Sequence, residues 1–295
     1  MRRMLPQPTR RDFVLASVAT VSAATRIGAS QAPLTAEAVV SRIRSRVGMP
    51  WRETTTDGFK AGDPSTPITG IATTVSATVD VLRRAAAAQQ NLVITLEPTF
   101  YTANDAAGAR AADPVYVAKR QAIDEGRIVV WRFADHWSAR RPSEPVNALA
   151  AALGWTGRLV PGSDEIYQVP ETTLGALADD LKRRLNIRGG LRTVGRPQMR
   201  VRAVFVSPGT TGMPSTIANL PRADVIVAGE PREWEVVPYV QDTWAAGQGK
   251  GMVAIGRVVS LTPGMSACAA WIRSFVPEVP VTTIALDDPY WSPPV

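Results

Sequence analysis

The chain has 295 residues, of which 45% are apolar and 20% are charged, with 22 glycines and 24 prolines. This composition excludes an intrinsically disordered chain and a collagen-like repeat, and no apolar run reaches the roughly 20 residues that a bilayer-spanning helix needs. The formal net charge is +7, but five arginines and one aspartate in residues 1–32 account for +4 of it. The basic residues that give the remaining +3 are scattered along the sequence, so we predict no nucleic-acid partner.

The first 32 residues resemble a twin-arginine export signal. The stretch TRRDF (9–13) places Arg10 and Arg11 ahead of Phe13, and a short, mildly apolar run of small residues continues to Ala24. Such a run is typical of the hydrophobic region of a cleaved signal, whereas a frayed basic amphipathic helix is the less favoured interpretation. We therefore expect a periplasmic or otherwise exported protein that meets the membrane only during export.

From residue 34 onward, helical and strand-like patterns alternate. Helices are predicted over residues 35–47, 77–89, 114–125, 144–153, 173–185, 233–246 and 263–275, and strands over 68–73, 91–96, 127–133, 166–169, 199–206, 223–230, 251–259 and 279–285. This alternation predicts an α/β protein with mixed, covered sheets. We divide the chain into a signal (1–32), a first lobe (33–160) and a second lobe (161–295), with the C-terminal part as a candidate to return to the first lobe.

No general catalytic motif stands out in the sequence. Glycine patterns that bind dinucleotides or phosphates are missing, and the single histidine, His136, leaves only one base for a serine triad. The single cysteine, Cys268, excludes an intramolecular disulfide and is predicted to be a small core residue. The stretch SPGTTGMPST (207–216) could offer backbone N–H groups to an anion, although a plain glycine turn is the stronger interpretation.

Three parts of the sequence together resemble one family. They are DGFKAGDPSTPITGIATTVSATVDVLRRAAAAQQNLVITLEPTFY (57–101), IVVWRFADHWSARRPSEPVNALAAALGW (128–155), and ADVIVAGEPREWE (223–235) followed by GMVAIGRVVSLTPGM (251–265). In this order they are similar to the NIF-three-like dinuclear metal-centre family, also described as GTP cyclohydrolase 1 type 2 homologues. The resemblance implies two related α/β lobes with mixed sheets flanking a central cavity. It also implies a homo-oligomer, commonly a hexamer.

The resemblance further implies a pair of divalent metals, held by histidines and carboxylates at strand ends. The corresponding positions in this chain are Leu96, Glu97, Ala134, Ser138, Arg257 and Leu261. Leucine and alanine carry no donor atom, a serine hydroxyl is a poor ligand, and arginine stays protonated. Because only Glu97 could ligate a metal, we expect neither a metal nor another cofactor in this chain.

The substituted site allows several hypotheses. Arg257 places a positive charge where the metals would lie, and Glu97 is its candidate partner in a cavity lined by two leucines. A structural ion pair is the favoured hypothesis, and a pocket that holds an anionic small molecule on Arg257 is the second. A third is one residual metal recruited by His136 and Asp135 near Glu97.

These observations predict a protein without catalytic residues. The leading function is an exported, non-catalytic family member with a binding or scaffold role. The alternative is a metal-dependent hydrolase that acts on a nucleotide-like or other anionic substrate through a residual or relocated metal. Two acidic residues of the third segment, Glu230 and Glu233, are predicted to cap a strand end and a helix start locally.

Overall fold

The structure, a computed structural model, describes residues 33–106 and 108–293. The expected export signal, with Arg10 and Arg11, lies outside these residues. Among the described helices, none combines the length and the apolar character that crossing a bilayer requires.

The described residues form nine α-helices and ten β-strands. The helices are α1 (Ala36–Arg46), α2 (Val79–Ala87), α3 (Pro114–Glu125), α4 (Asp135–Ala139), α5 (Glu144–Ala152), α6 (Leu174–Arg184), α7 (Met213–Asn219), α8 (Glu233–Ala245) and α9 (Arg257–Arg273). The strands are β1 (Gly58–Ala61), β2 (Ile71–Thr74), β3 (Leu92–Thr95), β4 (Val129–Arg132), β5 (Ile166–Thr173), β6 (Arg192–Val194), β7 (Arg200–Thr211), β8 (Val225–Pro231), β9 (Gly251–Ala254) and β10 (Val281–Thr283). The predicted α/β class with mixed sheets is confirmed.

The first five-stranded sheet has the order β1-β4-β3-β2-β10. Its strands are parallel to their neighbours except β1, which is antiparallel to β4. The strands β2, β3 and β4 are buried at every position, as expected for parallel strands that helices cover on both faces. The last strand, β10, pairs with β2 although about 200 residues separate them, with Val281 opposite Ile71.

Helices cover both faces of this first sheet. One face packs against α1 and α9, which contribute Ile43 and Met265 to its core. The other face packs against α2 and α3, which contribute Leu82 and Ile123. Side chains that cap the helices help to define their starts: Thr35 accepts the Ala38 N–H at 3.2 Å, a contact type that stabilises a helix by about 1 kcal/mol.

The second five-stranded sheet has the order β5-β7-β8-β9-β6. Its central strands β7, β8 and β9 are parallel, while β5 and β6 are antiparallel edge strands. One face packs against α5 and α6, where Leu149 and Leu181 are buried. The opposite face packs against α8 through Val236 and Val240.

Cys268 lies in α9 and is fully buried, which confirms its predicted role as a core residue.

The main difference from the predicted elements lies in residues 251–259, which were expected to form one strand. The strand β9 ends at Ala254, and α9 begins six residues earlier than predicted, at Arg257. Gly256 has a φ of 95°, a conformation that suits glycine and turns the chain from strand to helix. Two β-branched valines after the turn favoured a strand in the sequence, and packing of the helix outweighs that preference.

The glycine-containing stretch 207–216 forms the end of a strand and the start of a helix, and Gly209 has a φ of 71° where the strand is irregular. The strand β7 continues through it to Thr211, with an irregular register against β8, and α7 follows. The Gly209 N–H donates to the Ser260 hydroxyl at 3.0 Å, so it is committed within the protein. The short elements β1, β6, α4 and α7 were not predicted, because runs of three to seven residues carry too little periodicity.

Candidate functional site

A cavity of about 480 Å³ lies where β3 and β4 end and α9 begins. All six positions that the family resemblance singled out line it: Leu96, Glu97, Ala134, Ser138, Arg257 and Leu261. The leucines are both 6% exposed and form part of its apolar wall. Residues separated by up to 165 positions in sequence are therefore brought to one surface, as strand ends in α/β proteins commonly arrange.

Arg257, the first residue of α9, is the centre of a cluster of charged side chains. Its Nε and Nη2 donate to Glu97 Oε1 at 2.9 and 2.7 Å, and its Nη1 donates to Glu230 Oε2 at 3.1 Å and to the Thr210 hydroxyl. A positive charge at a helix N-terminus opposes the helix dipole, and the two carboxylates offset that cost. The three charged groups together carry a net charge of −1.

The arrangement corrects the prediction for Glu230, which was expected to act only as a local cap. Its carboxylate instead reaches Arg257 from the neighbouring β8, so it belongs to the cavity cluster. Glu233 pairs with Arg192, away from this cluster. Sequence position alone did not separate the two glutamates, because Glu230 lies near the end of β8 and Glu233 is only three residues further on.

His136 lies beneath the cavity and is fully buried. Its Nε2 accepts the Arg52 N–H at 3.0 Å, so the ring proton is on Nδ1, which donates to Asp57 Oδ2 at 2.7 Å. The ring also stacks on Trp51 with a centroid distance of 3.7 Å. Both ring nitrogens are therefore used within the protein, and in this arrangement neither is free to ligate a metal.

Asp57 organises the same region and was not recognised from the sequence. Its side chain is fully buried and accepts four hydrogen bonds. Besides the imidazole, the donors are the backbone N–H groups of Ala134, Asp135 and His136, at 2.5, 2.9 and 3.0 Å. The carboxylate thus fixes the first turn of α4 and the orientation of the only imidazole in the chain.

Asp135 lines the cavity beside Ser138. Its Oδ2 accepts the Thr55 hydroxyl at 2.8 Å and the Thr56 N–H at 2.7 Å. Burial acts to raise the pKa of the Asp135 carboxyl, but these hydrogen bonds and the charge of Arg132 outweigh it and hold the pKa below its ordinary value. The carboxylate is therefore ionised, and it is held by the segment before β1 and not by His136.

The loop after β3 is held by Arg132, another residue that sequence reasoning missed. Its Nε donates to the Leu96 carbonyl at 3.3 Å and its Nη1 to the Ala103 carbonyl at 2.7 Å. It also forms an ion pair with the buried Asp105 at 3.4 Å. Lys119 is nearly buried beside this loop and donates to the Thr99 carbonyl at 2.7 Å; burial lowers its pKa to about 8.

The residues of this cavity do not fit a pair of divalent metals. Three of the six family positions carry no donor atom, and the guanidinium of Arg257 takes one oxygen of Glu97. Across residues 33–106 and 108–293, no group of three histidine, cysteine, aspartate or glutamate side chains has a geometry that could hold a metal ion. Arginine cannot lose its proton to become a ligand. The cavity is built for polar contacts and ion pairs.

Fold and cavity together define a mixed α/β protein with two five-stranded sheets and a charged pocket at the strand ends. A family model described as Duf34/NIF3 (NGG1p interacting factor 3) matches residues 49–246. The chain therefore belongs to the Duf34/NIF3 family, which confirms the family predicted from the sequence. A comparison with curated proteins gave no match.

Solved structures share this fold at low sequence identity. The hypothetical protein SA1388 of Staphylococcus aureus has a TM-score of 0.71 and 15% identity, covering 88% of this chain and 99% of its own. A Bacillus cereus protein related to NIF3 has a TM-score of 0.68 and 16% identity, covering 88% and 99%. TTHA1606 of Thermus thermophilus has a TM-score of 0.60 and 16% identity, covering 86% and 98%. At such identities the likeness concerns the fold.

Proposed function

We propose that this protein is an exported, non-catalytic member of the NIF3 family that binds a small molecule in the cavity around Arg257. One observation carries the proposal: the six positions at which the family resemblance implies metal ligands line one cavity, yet only Glu97 has a metal-binding side chain. The site is thus a degenerate metal centre in which an internal cation replaces the metals.

The replacement is physically coherent. Two carboxylates that face each other without a cation repel, and the guanidinium between Glu97 and Glu230 removes that repulsion. The side chain of Glu97 is 19% exposed and that of Arg257 is 35% exposed, so water screens the pair only in part. The ion pair keeps the pocket open and polar without a metal, which favours binding over catalysis.

The test is the metal content of the protein with residues 33–295, purified without chelator and without a metal-binding tag. We expect less than about one tenth of an equivalent of zinc, iron, manganese or nickel by elemental mass spectrometry. One or two equivalents, removable by a chelator, would instead favour the alternative function, a metal-dependent hydrolase acting on a nucleotide-like or other anionic substrate.

Export through the twin-arginine route is the second part of the proposal, and it rests on the pattern around Arg10 and Arg11. Residues 1–32 fused to a reporter that functions only outside the cytoplasm should direct its export. Replacement of both arginines by lysine should stop export, while replacement of Arg2 and Arg3 by lysine serves as the matched control. Equal export from both variants would contradict this part.

We also propose that the protein forms a homo-oligomer, because the family resemblance implies one. Light scattering coupled to size-exclusion chromatography measures the mass directly. A mass equal to one chain of the mature protein would reject this proposal and leave the proposed binding function in place.

A further inference from the structure

We propose that the cavity binds a small zwitterion of the amino acid class, with its carboxylate on Arg52 and its ammonium group on Glu97. This inference rests on the proposed binding function and names its ligand. It also replaces the sequence-based hypothesis that Arg257 holds an anion, because the guanidinium of Arg257 is already shared between two glutamates and a threonine.

Arg52 supplies the positive pole. Three arginines line the cavity. The guanidinium groups of two of them, Arg132 and Arg257, donate hydrogen bonds to acceptors within the protein. The guanidinium of Arg52 makes no hydrogen bond and no ion pair with any side chain or carbonyl of residues 33–106 and 108–293. Its planar pair of donors matches the two oxygens of a carboxylate in a two-point contact.

The backbone beneath Arg52 is held in a fixed place. Its N–H donates to His136 Nε2 at 3.0 Å, and the imidazole is locked in turn by Asp57 and by the ring of Trp51. Because this backbone is fixed, only the rotamers of the Arg52 side chain have to be ordered when a ligand binds. The imidazole of His136 thus fixes the backbone from which the Arg52 side chain extends.

Glu97 supplies the negative pole. The cluster of Glu97, Arg257 and Glu230 carries a net charge of −1, and both bonds from Arg257 to Glu97 reach the same oxygen, Oε1. The second oxygen, Oε2, accepts no hydrogen bond from the part of the chain that the structure describes. A ligand ammonium group there would satisfy the oxygen and bring the cluster to neutrality.

The same walls disfavour an anion such as phosphate. Glu97 and Asp135 both line the cavity, and each would repel a dianion placed near Arg52. Leu96, Ala134 and Leu261 also line the cavity and offer apolar surface to a ligand side chain. A volume of about 480 Å³ lies within the range of pockets that hold small molecules. Charges of both signs around an apolar wall match an amino acid with an aliphatic side chain.

The experiment is isothermal titration of the protein with residues 33–295, using L-leucine, 4-methylpentanoate, isopentylamine and inorganic phosphate as probes. We expect L-leucine to bind, and each single-charge analogue to bind at least about tenfold more weakly because it lacks one of the two charge-assisted contacts. Phosphate should also bind at least about tenfold more weakly, because Glu97 and Asp135 repel it. Phosphate binding tighter than L-leucine binding, or no binding of L-leucine, would overturn the inference.

Two variants assign the poles. Arg52→Ala should weaken L-leucine at least about tenfold, whereas Arg83→Ala, which removes an exposed arginine of α2 outside the cavity, should leave it unchanged. Glu97→Gln should weaken L-leucine but should not weaken 4-methylpentanoate, because it removes a charge that repels the carboxylate. Equal L-leucine binding in the Arg52→Ala and Arg83→Ala proteins would refute the role of Arg52.

The metal measurement separates this inference from the proposed function. If the protein contains no metal and does not bind L-leucine, the proposed function stands and the zwitterion proposal is refuted. If the protein contains one or two equivalents of metal, the proposed function is refuted, whether or not L-leucine binds. Thermal melts of each variant show whether it is folded, and Arg52 is exposed at the surface, so its replacement by alanine should leave the melting temperature nearly unchanged.

Discussion

Replacing Asp57 by asparagine tests the hydrogen-bond network beneath the cavity. The carboxylate accepts two N–H groups on each oxygen, and its side chain is fully buried. An asparagine offers one oxygen and one amide, so in either orientation two of the four donors face another donor. If the imidazole moves its ring proton to Nε2 to relieve one conflict, that proton meets the N–H of Arg52.

Loss of two charge-assisted hydrogen bonds, with their donors left buried, should lower the free energy of unfolding by about 3–5 kcal/mol. For a chain of this size we expect a decrease in Tm of about 6–15 °C. Urea unfolding followed by tryptophan fluorescence measures the change. The matched control is Asp80→Asn, at a carboxylate that is 72% exposed and pairs only with Arg84, where a change within about 0.5 kcal/mol is expected. Equal stability of the two variants would refute the network.

Three further predictions concern pH and metal. The pKa of Asp135 is lowered from its ordinary value of 3.8. Its carboxylate therefore stabilises the folded protein at pH values above 3.8, and this stabilisation is lost as the pH falls through the lowered pKa. The wild-type protein should be more stable than Asp135→Asn at neutral pH but not in acid, and a stability difference that does not change with pH would contradict this prediction. Burial lowers the pKa of Lys119 from 10.5 to about 8, so between these pH values the unfolded state binds more protons than the folded state. The free energy of unfolding, relative to that of Lys119→Met, should therefore rise as the pH increases across this range. A difference that does not change with pH would contradict the lowered pKa of Lys119. Leu96→His, Arg257→His and Leu261→Glu together should restore about one equivalent of bound metal by elemental mass spectrometry, whereas Arg257→His alone should not.

Much of the fold could be predicted from sequence because its elements carry strong local signals. The predicted helix over 114–125 has the bounds observed for α3, where Asp113 accepts N–H groups of the first turn and Pro114 occupies its start. The buried strands β3 and β4 were evident from continuous apolar runs. The beginning of α9 was missed because its first residues have strand-forming side chains, and only the packing of the helix decides their conformation.

Part of the candidate site could likewise be predicted from the sequence, and part could not. The positions of Glu97 and Arg257 were expected from the family resemblance, and the structure brings them into contact. The roles of Asp57, Glu230 and Arg52 were not predicted, because each depends on partners between 27 and 84 residues away in sequence. An aspartate before a glycine reads as a turn residue by itself. Its burial under α4 is a property of the tertiary structure.

The pairing of β10 with β2 has a consequence for how the chain reaches its final form. The last strand of the first sheet is synthesised about 200 residues after its partner. Until then β2 has an open edge, and α9, which covers one face of that sheet, has not been made either. A partly translated chain therefore cannot complete its first core until the residues of β10 have been synthesised.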